Sequence, residues 1–116
     1  MGGRESSHYD ALETREPQAR EASDFGRLPS HLEHARGRSA FYRDLLKDVD
    51  PGTVTSRAAL ARLPLTRKSE LHDRQRARPP FGGLEATPIS GLARIFMSPG
   101  PIYDPEARRP EVEMPR

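Results

Sequence analysis

The sequence predicts a mainly α-helical chain that carries one short β-strand. Three observations lead there. Helix-capping residues and apolar positions at helical spacing recur between residues 9 and 78. Proline and glycine then punctuate the chain at Asp50-Pro51-Gly52, at Pro64 and at Pro79-Pro80. The stretch LARIFM at residues 92–97, apolar but for Arg94, reads as a buried strand and runs into the small-residue turn Ser98-Pro99-Gly100-Pro101.

In chain order, residues 1–8 are Gly, Ser and charge, and are expected to be disordered. Tyr9 and Leu12 open a short helix. Pro17 suits a first helical position because its missing N–H has no helical partner there, and the helix continues through Ala19 to Phe25. Ser30 and Glu33 have capping-box spacing, which predicts a fresh helix start through Leu32 and Ala35, with Gly37 as its weak point. Phe41, Tyr42, Leu45 and Leu46 lie on one apolar face over two turns. Thr55 or Ser56 caps a short helix that carries Leu60 and Leu63 and ends at Pro64. Thr66 caps the next, which carries Leu71 and breaks at Pro79-Pro80. With no second strand in view, the edges of residues 92–97 are expected to be unpaired, favouring poor solubility or self-association. Residues 104–116 read as a disordered or aberrant tail after a folded portion at 9–103.

Composition limits what this chain does alone. Its 116 residues allow one small domain, and 34% apolar residues fall below the roughly 45–50% of ordinary globular domains. Nearly all the basic residues are arginine, yet the net charge is only +2, because Asp and Glu alternate with them. Such interleaving describes a solvated face more than a track for a polyanion. The run Arg74-Gln75-Arg76-Ala77-Arg78 contains no aromatic residue to stack on bases, so no nucleic acid is expected as a partner. The chain has no cysteine, which excludes a disulfide framework and a thiolate nucleophile. No apolar run approaches the length of a membrane span, and residues 1–9 lack the apolar core of a secretory signal. The cytoplasm is the expected location.

Few residues suggest chemistry. His31 and His34 are spaced to face one metal from a helix, but no third ligand accompanies them, so they read as surface histidines. His8 and His72 stand apart from any Ser/Asp arrangement, and Asp48 and Asp50 read as turn formers rather than a calcium loop. Neither a catalytic residue nor a metal ligand is assigned. The turn after the strand is the one candidate, since a strand entering a small-residue loop can bring backbone N–H groups against phosphate oxygens. It lacks the lysine and hydroxyl pair of a Walker loop. Pro99 and Pro101 have no N–H to offer, which leaves Gly100 and Ile102 as donors.

Four segments in order resemble the N-terminal region of phenylacetate–CoA ligases, within the adenylate-forming (AMP-dependent synthetase/ligase) superfamily. His34-Ala35-Arg36-Gly37-Arg38-Ser39-Ala40-Phe41-Tyr42-Arg43 is similar to that family's Ala-x-x-x-Ser-Pro-Phe-Tyr stretch, with Ala40 in place of proline. Leu60-Ala61-Arg62-Leu63-Pro64-Leu65-Thr66-Arg67-Lys68-Ser69-Glu70-Leu71 is similar to its Leu-x-x-Leu-Pro-x-Thr-x-Lys-x-x-Leu motif. Pro80-Phe81-Gly82 is similar to its Pro-Phe-Gly connector. Residues 94–100 fall where the family carries a strand entering its phosphate loop. The resemblance spans residues 9–110.

It implies the N-terminal helical portion of an α/β enzyme, cut off at the phosphate loop. The implied reaction activates a carboxylic acid, aryl or other, with ATP through an acyl-adenylate and then transfers the acyl group to coenzyme A. Magnesium is implied beside the phosphates. Ser98 and Gly100 are the positions that stay in register with the family's loop, whose other hydroxyls and lysine are replaced here. ATP, magnesium and coenzyme A are therefore implied for the whole enzyme, with none expected to bind this chain tightly. Two other readings stand beside this one: a helical interaction module using the Phe41/Tyr42/Leu45/Leu46 face, and a weak Arg-rich RNA binder.

Overall fold

Pro17 starts a 22-residue helix, α1 (Pro17–Arg38), in the computed structural model, which describes residues 7–108. A short 3-10 helix (Ala11–Thr14) precedes it, opened by the Asp10 side chain accepting from the Leu12 N–H at 2.9 Å. The capping box expected at Ser30 does not form. The Ser30 hydroxyl instead donates to the Arg27 carbonyl at 2.9 Å, and the two helices expected around Pro29 are one. Pro29 removes a single ladder hydrogen bond, a local loss that the flanking turns and the packing of the helix outweigh here.

Ser39 joins two elements. Its N–H closes α1 on the Ala35 carbonyl at 2.9 Å, and its hydroxyl oxygen accepts from the Tyr42 N–H at 3.3 Å to open α2 (Ala40–Leu45). The apolar face expected on α2 turns inward: Phe41 and Leu46 are buried and Tyr42 and Leu45 half-buried. Asp50 then caps a 3-10 turn (Pro51–Thr53), accepting from the Gly52 N–H at 3.1 Å. Arg36 of α1 reaches the Val49 carbonyl just before it at 2.6 Å. Ser56 caps α3 (Arg57–Ala61) through the Ala59 N–H at 3.2 Å, and Leu63 lies past its end. An Arg57–Glu21 ion pair links α3 to α1.

Helix α4 (Lys68–Ala77) begins after Arg67 with no side-chain cap, so Thr66 does not have the capping role expected of it. The chain leaves α4 before Pro79-Pro80 and enters the core at Phe81, 1% exposed. Gly82 follows at φ +66°. A Cβ there would lie 3.0–3.1 Å from the Arg74 backbone and Cβ and the Gln75 nitrogen, which explains glycine at this position. The Gly83 carbonyl accepts from both the Phe41 N–H and the Ser39 hydroxyl, each at 2.9 Å. Phe41, Leu46, Val54 and Phe81 form the apolar centre around this point, and Arg74 lies 4.6 Å over the Phe41 ring.

The strand is present but has different surroundings from those expected. Strand β1 (Leu92–Ser98) pairs antiparallel with β2 (Ile102–Ala107) in a two-stranded sheet, with Ser98 opposite Ile102, Met97 opposite Tyr103 and Arg94 opposite Glu106. One edge of β1 is therefore paired. The strand is also mostly exposed rather than buried, with Ile95, Phe96 and Met97 at least half open to solvent. The boundary expected at 103/104 falls inside β2. Residues 1–6 and 109–116, in the segments read as disordered, lie outside the described residues. The chain is elongated, with a radius of gyration of 17.3 Å. A compact chain of this length would have about 13 Å.

Candidate functional site

Ser98 is the last residue of β1 and Gly100 lies in the turn that joins it to β2. Both candidate residues are thus on one hairpin turn. The half-buried Ser98 hydroxyl donates to the Ile102 carbonyl at a long 3.4 Å, so its bonding capacity is little used within the chain. Gly100 has φ +155°, and a Cβ on it would lie 3.1 Å from Ile102 Cγ1 and 3.3 Å from the Ile102 nitrogen. Glycine is thus needed for the close approach of this exposed turn to its own Ile102.

Helix α4 holds the turn through two residues that the sequence reading did not single out for this. The Gln75 amide takes both backbone groups of Tyr103: the Tyr103 N–H donates to Oε1 at 2.9 Å, and Nε2 donates to the Tyr103 carbonyl at 3.0 Å. One helical turn earlier, His72 Nδ1 lies 3.2 Å from the Pro101 carbonyl, an oxygen that only accepts, so the contact is a hydrogen bond in the tautomer with hydrogen on Nδ1. Gln75 is 4% exposed, a buried amide with its hydrogen bonds made. The sequence held one signal for it, a neutral amide among arginines three residues after His72 on the same helical face.

Away from the turn, Arg94 and Glu106 form a two-point ion pair across the hairpin at 3.0 and 2.8 Å. Hydrogen bonding to Glu106, then its charge, raises the Arg94 pKa above its ordinary value. His31 and His34 both lie on α1, and His31 Nδ1 is buried without a hydrogen bond. Among the described residues no group of three or more His, Asp or Glu could hold a metal ion. No described helix is long and apolar enough to cross a membrane. A groove of about 630 Å³ between α1 and α3 is lined by residues that include Glu21, Phe25 and Arg57, and by no residue of the hairpin turn.

No protein-family model matches the chain, and no curated protein sequence does. Solved structures do. A 2-hydroxyisobutyryl-CoA ligase in the postadenylation state, in complex with 2-HIB-AMP, aligns over 93% of this chain at 25% identity and a TM-score of 0.78. The same ligase with 2-HIB-AMP and CoA, in its thioesterification state, aligns over 84% at 26% identity and a TM-score of 0.71. An open conformation with both ligands gives 79%, 28% and 0.70. The chain spans about a quarter of the length of these structures, 24% of the first and 21% of the open form. Helices followed by a two-stranded sheet are thus a fragment of an adenylate-forming CoA-ligase fold. The fold and the sequence resemblance agree at the level of that superfamily, and these three structures are all of 2-hydroxyisobutyryl-CoA ligase.

Proposed function

We propose that this chain is the part of a phenylacetate–CoA ligase-like acid–thiol ligase that carries its phosphate-facing turn. The observation that supports this most is the β1–turn–β2 hairpin, with Ser98 and Gly100 at its tip, inside a chain that aligns to an acyl-CoA ligase over 93% of its length. In this reading the whole enzyme uses ATP to convert a carboxylic acid to an acyl-adenylate, and coenzyme A thiolate then displaces AMP. It works in the cytoplasm.

This chain's contribution is to bind and orient. The exposed Gly100 offers its backbone N–H to an anion in this reading, and the Ser98 hydroxyl is a donor at the end of the strand. The turn's residues fit a phosphate through these neutral groups, and Pro99 and Pro101 supply no N–H. For magnesium the fit fails: no acidic cluster among the described residues suits it, and no step is routed through a metal here. The 116 residues alone are inactive in this reading, because stabilising the developing charge needs donors from several elements and this chain brings one turn.

The interaction-module alternative loses its basis, since Phe41 and Leu46 of the proposed docking face are 5% and 3% exposed. The test is a chimera in which residues 9–108 replace the matching quarter of 2-hydroxyisobutyryl-CoA ligase. Acid-dependent ATP–pyrophosphate exchange is expected in the chimera and not in the isolated chain. Within the chimera, Gly100→Val is expected to raise the ATP KM or lower kcat while leaving helical content unchanged. A folded chimera without exchange, or a neutral Gly100→Val, refutes the reading.

A further inference from the structure

We infer that Gln75, with His72, is a positioning residue for the hairpin turn: helix α4 sets the turn's conformation by standing in for a third β-strand. The inference rests on the phosphate-facing reading of the turn for its functional meaning. Its geometry is independent of that reading.

In an antiparallel ladder, residues alternate between exchanging hydrogen bonds with their opposite partner and presenting them outward. Tyr103 stands opposite Met97, yet its N–H and C=O both go to Gln75, at 2.9 and 3.0 Å. These are the outward groups of β2, and a primary amide satisfies them as a neighbouring strand would. Gln75 thus occupies the outer edge of β2, which would otherwise present unpaired backbone groups.

His72 adds a second point of attachment. A trans peptide places its C=O and N–H on opposite sides. Holding the Pro101 carbonyl toward His72 at 3.2 Å therefore aims the Ile102 N–H away from α4, into the hairpin. Gly100 faces that nitrogen, with its Cβ position 3.3 Å away. Residues 101 and 103 are both tied to α4, so the side of the turn opposite α4 is the one presented outward. Gln75 is buried while its neighbours Arg74 and Arg76 are exposed, so this amide is the position of α4 committed to the contact.

The amide's two roles, donor and acceptor, give a test that side-chain volume alone does not pass. In Gln75→Glu the acceptor is kept and the donor depends on protonation. A protonated carboxyl reproduces both bonds, whereas a carboxylate sets an oxygen against the Tyr103 carbonyl. The readout is amide hydrogen-exchange protection, relative to intrinsic rates, in the full 116-residue chain, measured from about pH 8 to about pH 4 across the ordinary glutamate pKa. His72 on α4 and Tyr103 and Asp104 on β2 are the titratable groups around the contact, so the unsubstituted chain through the same pH series is the reference.

Gln75→Leu is expected to lower Tyr103 protection by about tenfold or more, the scale of one to two lost hydrogen bonds, while the Leu46 amide that closes α2 on the Tyr42 carbonyl is unchanged. Gln75→Glu is expected to be unprotected at Tyr103 at high pH and to regain protection on acidification. If Tyr103 stays protected in Gln75→Leu, or Gln75→Glu shows no more pH dependence than the reference, the inference is overturned. Should Gln75→Leu fail to fold, the pH series decides. Inorganic pyrophosphate followed at the Ser98 and Gly100 amides separates the two claims. A response in the unsubstituted chain that weakens severalfold in Gln75→Leu supports both, and an equal response in the two overturns the positioning role. No response in the unsubstituted chain counts against the phosphate-facing reading alone, and the exchange result still decides the positioning.

Discussion

The knot around Gly83 and the hairpin at residues 92–107 bury their apolar residues to very different extents. At the knot, Phe81, Phe41 and Leu46 are at most 5% exposed, and every hydrogen bond named there closes within the chain. On the hairpin, Ile95, Phe96 and Met97 are 52%, 50% and 69% exposed, and of the apolar residues only Ile102 is buried. The first region is held by burial and the second by directional bonds: the ladder and the Gln75 clamp. Stability and candidate function are thus separated along the sequence. The two regions meet at α4, where Gly82 packs on Arg74 and Gln75, so a change at Gly82 can reach the hairpin through Gln75.

Substitutions sharpen this contrast in a graded way. Phe81→Ala removes the most buried large side chain and is expected to cost about 3–5 kcal/mol, enough to unfold the knot in a urea titration. A loss below about 1 kcal/mol would mean that Phe81 does not anchor the core. Gly82→Ala combines positive φ with a Cβ 3.0 Å from the Arg74 backbone, and is expected to cost about 1–3 kcal/mol in the same measurement. Ser39→Ala loses the α2 cap and the bond to the Gly83 carbonyl, for about 1–2 kcal/mol. On the hairpin, Met97→Lys is expected to leave the urea midpoint unchanged while reducing self-association seen by sedimentation, because Met97 is 69% exposed. Unchanged association would remove β1 from the contact. The smallest effect is expected from Glu106→Gln: the pair is exposed on both sides, so the midpoint should stay within measurement scatter.

Elements governed by local chemistry were legible in the sequence. Ser56 and Asp50 cap where a short polar side chain next to a turn should, and α4 ends before Pro79-Pro80. Where contacts distant in sequence intervene, local signals failed. The capping box at Ser30 yields to a continuous α1 that α2 and the Arg36–Val49 bond brace from outside. Strand β2 was missed because Asp104 and Pro105 sit inside it, residues that argue against a strand. Pro105 is tolerated in a two-stranded ribbon, where each strand leaves an edge that needs no donor. Arg74 is exposed, and its guanidinium still lies over the Phe41 ring, a contact visible only once residues 33 apart in sequence meet. Ser98 and Gly100 could be placed on a turn from sequence, and the helix that holds that turn could not.

The Gly83 carbonyl also bears on the order in which this molecule assembles. It receives the Ser39 hydroxyl and the Phe41 N–H from across 44 and 42 residues, so both lone pairs are filled from chain made much earlier. At about 5–20 residues per second on the ribosome, the stretch from Ser39 to Gly83 takes about two to nine seconds to synthesise. Through that interval the residues of α1 and α2 lack the acceptor that joins them, and Phe41 lacks Phe81 as a neighbour. The nascent chain therefore waits on one peptide unit, and a pause in translation shortly before codon 83 prolongs the exposure of Phe41 and Leu46.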